Sequence, residues 1–136
     1  MKTLNRTALT VLAALTLVPL AAAATMTPGT FHSLHAPTSG TVSIVQQGGK
    51  PTLQLKNFKT EAAPDLQVWL YRDGAPAEGS DDTKIAKGKY VKVGVLKTFS
   101  GNFSFALPAG TKVSDYKSVV LWCDLVSTAF GAADLK

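Results

Sequence analysis

Thr41-Val42-Ser43-Ile44 and, a short distance on, Thr52-Leu53-Gln54-Leu55-Lys56 alternate polar and apolar side chains with a period of two. That is the pattern of a half-buried β-strand, because successive side chains point to opposite faces of the pleat. Gly48-Gly49-Lys50-Pro51 separates the two runs and supplies the turn that joins them. The same alternation returns at Asn102-Phe103-Ser104-Phe105. Three further runs, 66–71, 90–96 and 118–123, are richer in β-branched and aromatic residues and could be buried on both faces. Turn signals punctuate the rest, at Pro37-Thr38-Ser39-Gly40, Ala63-Pro64-Asp65, Ser100-Gly101-Asn102 and Pro108-Ala109-Gly110. Segment 73–87, rich in Gly, Ala and charge, reads as the longest loop, and helix is expected only as a turn or two near 132–136. Short strands at this spacing predict an all-β fold, an antiparallel sandwich or barrel-like sandwich of about seven to nine strands.

Outward from that core, the N-terminus has a different character. Lys2 and Arg6 precede an apolar run from Ala8 to Leu20, and Ala22-x-Ala24 follows as a small-residue cleavage site. This is the layout of an export signal covering residues 1–24, which leaves 25–136 as one mature domain. The apolar run is too short to cross a bilayer, and no later stretch approaches the ~18 apolar residues a membrane helix needs. We therefore expect a secreted or periplasmic protein after cleavage near Ala24, with no membrane span. Removing Lys2 and Arg6 from the 14 basic residues leaves 12 against 9 acidic ones, a net charge of +3. So small an excess does not imply nucleic acid.

Several chemistries are excluded by spacing. A blue-copper site needs a histidine shortly after its cysteine, whereas His32 and His35 lie about ninety positions before Cys123. Three positions apart, the two histidines point to opposite faces of a regular strand, which argues against a shared metal. Hydrolytic chemistry lacks a nucleophile elbow and an acid-base constellation, and Asp81-Asp82 reads as a solvated turn. Lys84, Lys87, Lys89 and Lys92 form a basic cluster that reads as a solvated strand edge guarding against sheet-to-sheet association.

The unusual residue is Cys123, the chain's one cysteine, in Ser118-Val119-Val120-Leu121-Trp122-Cys123. Exported proteins usually pair their cysteines or lack them, so an unpaired one is a reactive thiol, a ligand, an intermolecular bridge, or a buried apolar side chain. Trp122 points to the other face of the strand. Cys123 is expected to be partly exposed, with no tightly bound cofactor.

Four blocks in order carry a resemblance over nearly the whole mature chain. They are Gly29-Thr30-Phe31 with His35 and Gly40-Thr41-Val42-Ser43-Ile44; Leu53-x-Leu55-x-Asn57-Phe58-x-Thr60 with Pro64-Asp65-Leu66-x-Val68-x-Leu70; Leu96-Lys97 with Gly101 and Phe103-x-Phe105-x-Leu107-Pro108; and Ser118 to Cys123 with Phe130-Gly131-x-Ala133-x-Leu135. The sequence resembles the DM-thirteen domain, an electron-transfer domain found alongside haem-binding DOMON domains. Val126, Thr128 and Phe105 depart from the family pattern, which prefers an aromatic, a valine and a tyrosine there.

The resemblance implies a β-sandwich in which Cys123 acts as a redox thiol or as the ligand of a prosthetic group such as haem, with His35 as a possible second cofactor-binding residue. Trp122, Pro64 and Asp65 would be structural, and Phe130-Gly131 would be packing followed by a positive-φ turn. Haem, if present, would be held noncovalently, since no Cys-x-x-Cys-His motif exists. The partner would be a separate redox protein, such as a haem-binding domain, or a cell-surface protein. Three functional readings follow: an exported redox accessory domain working through Cys123, a non-catalytic binding module with Cys123 buried, and, least supported, a small enzyme.

Overall fold

The computed structural model describes residues 28–136. The expected export signal lies outside the described residues. In chain order the elements are β1 (Gly29–Thr30), β2 (His32–Ser33), β3 (Ser39–Gln47), β4 (Lys50–Lys59), β5 (Leu66–Tyr71), α1 (Asp82–Lys87), β6 (Tyr90–Val95), β7 (Ser100–Ala106), β8 (Ser118–Cys123) and β9 (Thr128–Asp134). They form two antiparallel sheets, a four-stranded one in the order β1-β3-β4-β7 and a five-stranded one in the order β2-β9-β8-β5-β6. The sheets remain separate, so the fold is a sandwich.

The hairpin that anchors the reading is formed as its sequence dictates. Gln47 pairs with Lys50, leaving Gly48 and Gly49 as a two-residue turn with φ of 56° and 77°. Two positive φ values are what a turn matching the right-handed twist of its strands needs, and glycine adopts them without a Cβ clash. Val42, Ile44, Leu53 and Leu55 then fall on one face and meet Leu66, Val68, Leu70, Val119 and Leu121 of the opposite sheet in the main core. Each such side chain, fully buried, stabilises the fold by roughly 1.5–3 kcal/mol.

β5 and β8 are buried on both faces, as their composition suggested. What covers their outer face is the segment between β5 and β6, which is not the plain loop expected. Its second half is α1, capped by the Asp81 carboxylate, which accepts from the Thr83 N–H at 2.9 Å. Ile85, the buried residue of α1, packs with Trp69, Tyr71, Val120, Trp122, Ala129 and Ala132 in a second, smaller core. The outcome differs at β6, which is an edge strand with alternating exposure rather than one buried on both faces. The C-terminal stretch expected to hold a helical turn is instead β9, a strand as far as Asp134.

Tyr71 ties α1 to the sheet by donating from its hydroxyl to the Ile85 carbonyl oxygen at 3.2 Å. Burial pushes its phenol above the ordinary value of 10.0, and the negative charge of Asp73 adds to the shift. The folded state therefore holds this proton more tightly than the unfolded chain does. The resulting stability is fully present below about pH 10 and is lost as pH rises through the folded-state value. Urea unfolding at pH 8 and pH 11 should show wild-type protein losing stability relative to Tyr71→Phe. At pH 8 that variant should be about 1 kcal/mol weaker for its missing hydrogen bond.

Candidate functional site

β8 is the central strand of the five-stranded sheet, and its alternation settles where each side chain goes. Val119, Leu121 and Cys123 enter the main core, while Val120 and Trp122 enter the smaller one. Cys123 is 1 % exposed, contrary to the expectation of partial exposure. Its thiol donates to the Pro64 carbonyl oxygen at 3.5 Å, a contact made possible by the turn that leads into β5. Asp65 completes that turn at φ 52°, and its carboxylate accepts from the Gln67 amide at 3.2 Å. Immediately beyond Cys123, residues 124–127 form a tight connection whose Leu125 and Val126 are strongly exposed.

His35 is not beside Cys123. Its Nε2 lies 3.0 Å from Asp82 Oδ2 in α1, which covers the face of the sheet opposite to the one carrying the sulfur. His32 reaches the same covering segment through Nε2, 2.6 Å from the Pro76 carbonyl oxygen. The two histidines do not point apart as they would on a continuous strand, because β2 ends at Ser33 and the chain bends before His35. Both are clasps for segment 73–88. Asp82 is a residue that sequence reasoning missed: its Oδ1 also accepts from the Ala129 N–H at 3.1 Å, so it joins α1 to β9. Asp134 Oδ1 accepts from the Ala75 N–H at 2.8 Å, and the Ser118 hydroxyl donates to the Asp73 carbonyl at 2.7 Å. Among the described residues no three His, Cys, Asp or Glu side chains gather as metal ligands.

A second missed feature lies across the outer face. Trp122 on β8 stacks on Trp69 of β5 with ring centroids 4.8 Å apart, and Trp69 stacks on Tyr90 of β6 at 3.6 Å and 7°. The three rings run from the central strand to the sheet edge. Trp69 donates from Nε1 to the Gln67 side-chain oxygen at 2.9 Å, which satisfies its buried N–H.

The family comparison covers this whole arrangement. The family model described as electron transfer DM13 matches residues 30–135, from β1 to the residue after β9. The chain belongs to the electron-transfer DM13 family. No curated protein and no solved structure matches it.

In this DM13 domain the residues do not fit a haem held between Cys123 and His35. An axial ligand needs open space beside its donor atom, whereas the Cys123 sulfur is enclosed by the core and bonded to Pro64. Five surface clefts are lined by other residues, and neither Cys123 nor His35 borders any of them. Gly131 also has a different reason from the one expected. It lies inside β9 without a positive φ, and it is glycine because Thr38 packs against its α-carbon.

Proposed function

We propose that this chain is an exported electron-transfer accessory domain whose redox group is the Cys123 thiol. The observation that carries the reading is the place of the one cysteine, on the central strand of a sandwich that belongs throughout to an electron-transfer family. Thiol-disulfide exchange needs an attacking thiolate to reach the sulfur, and the enclosed Cys123 offers no approach in the folded state. The chemistry left to it is transfer of single electrons across the protein. Loss of one electron and the thiol proton leaves a sulfur radical, and return of both restores the thiol. The other party is a separate redox protein, such as a haem-binding domain. The export signal expected at 1–24 supports an exchange in a periplasm or outside the cell.

The burial of Cys123 also favours a second reading, a binding module in which this residue is a small core side chain, since buried cysteines are usually inert. One experiment separates the two. Protein purified from its native compartment, with an intact mass beginning at or near Thr25, is exposed while folded to a photogenerated one-electron oxidant and a spin trap. The redox reading expects one thiol lost per chain and the trap recovered on the peptide containing Cys123. An unchanged thiol count leaves the binding module. Cys123→Ser should abolish the trapped product and cost on the order of 1–3 kcal/mol of stability, because its buried hydroxyl loses solvation without gaining a matched partner.

A further inference from the structure

An enclosed redox thiol needs a route for its electron, and the rings on the far side of its own strand provide one. We propose that Trp122, Trp69 and Tyr90 form a conduit that carries the electron across the five-stranded sheet, and that Tyr90 is the point at which the partner takes it. The proposal rests on the electron-transfer reading of the preceding section and adds the path and the exit.

The geometry supplies continuity. Cys123 and Trp122 are consecutive, so the first step crosses only the strand backbone, from the main core to the outer face. From there the rings are in stacking contact at 4.8 Å and 3.6 Å, with no aliphatic side chain between them. Stacking of this kind also serves packing, and packing alone is what any such cluster provides first. Three details go beyond it. The contacts join three adjacent strands in one direction, β8 to β5 to β6, and end at the sheet edge. Only the far end of the path is open: Trp122 and Trp69 are 3 % and 1 % exposed, Tyr90 42 %. The proton chemistry is also graded. Trp69 is hydrogen-bonded to an amide oxygen, which is too weak a base to remove its N–H proton, so a hole on Trp69 keeps its charge and can move on. Tyr90 alone of the three stands in water, where a phenol can shed and recover its proton.

The step balances as follows. A one-electron oxidant strong enough to oxidise an aromatic ring, of the high-valent haem class, takes one electron from Tyr90. Trp69 refills Tyr90, Trp122 refills Trp69, and the Cys123 thiol refills Trp122. The net change is one electron gained by the oxidant, one lost by Cys123, and the thiol proton passed along its hydrogen bond to the Pro64 carbonyl, in an exposed turn, and from there to water.

The test is flash photolysis of the full mature chain with photogenerated tris-bipyridine ruthenium(III) as oxidant, read by transient absorption of the aromatic radicals and by the thiol count. In wild-type protein a tyrosine or tryptophan radical should form and then vanish as Cys123 is consumed. Tyr90→Leu, at a half-exposed position that tolerates the change, should lose the fast phase of oxidation. Trp69→Phe should leave a long-lived Tyr90 radical and an intact thiol. Oxidation of Cys123 at the wild-type rate in both variants overturns the conduit and leaves the thiol reading standing, and so does loss of the fast phase only when Leu125 and Val126 are replaced. If Trp69→Phe prolongs the Tyr90 radical while the wild-type thiol count stays unchanged and Cys123→Ser does not alter the radical lifetimes, the rings carry the charge and the thiol reading fails.

Discussion

Trp69→Ala should remove a large share of the domain's stability. Trp69 is the largest fully buried side chain, and it is held on both faces by other rings. Its removal opens a cavity that Tyr90 and Trp122 cannot close, because each is anchored to a different strand. Large aromatic-to-alanine changes at such sites cost about 3–5 kcal/mol. A domain of this size has on the order of 5–15 kcal/mol in total. The Gln67 side-chain oxygen also loses its donor, adding the cost of a buried acceptor left unpaired. Urea unfolding followed by far-ultraviolet dichroism should place the midpoint far below that of the wild type. A shift equivalent to less than about 1 kcal/mol would mean that the outer face is loosely packed, and the stack would lose its structural basis.

Gly131→Val should be comparably severe, by the opposite mechanism. A Cβ at this position would collide with the Cβ, Cγ2 and Oγ1 atoms of Thr38. Thr38 cannot swing aside without loss, since its hydroxyl lies 3.0 Å from both the Ala36 carbonyl oxygen and Thr60 Oγ1, and 3.3 Å from the Phe130 carbonyl oxygen. Overpacking of this kind costs about 1–3 kcal/mol, and each displaced hydrogen bond adds roughly 1 kcal/mol. Thr38→Gly removes the obstructing atoms, so the double variant should be more stable than the sum of the single losses. Additive losses in that thermodynamic cycle would show that the contact does not limit the site.

The sequence was most informative where local pattern and burial coincide. Val42, Ile44, Leu53 and Leu55 could be assigned to one face because period two and the Gly48-Gly49 turn agree. The covered outer face of β5 and β8 was legible as composition, but what covers it was not. A helix of six residues is too short to show periodicity, and the Asp81-Asp82 pair that caps and anchors it looks like any polar turn. His32 and His35 misled because parity holds only within a continuous strand. For Cys123, alternation separated it from Trp122 without saying which side was enclosed. Both sides are. The stack of Trp122, Trp69 and Tyr90 depends on the register of three strands, which no single stretch of chain encodes.

The first two strands of the described chain have a bearing on when the domain can form. β1 joins β3 in one sheet, whereas β2, one residue later, joins β9 in the other. His32 pairs with Ala132, so closing that edge waits for residues about a hundred positions further along the chain. Long-range pairings of this type must meet the entropy of loop closure before contact energy rewards them, which places the fold among slow, high-contact-order topologies. A chain arranged in this way stays open while it is being made. Its two sheets can both be completed only once β9 has been made, about a hundred positions after β2.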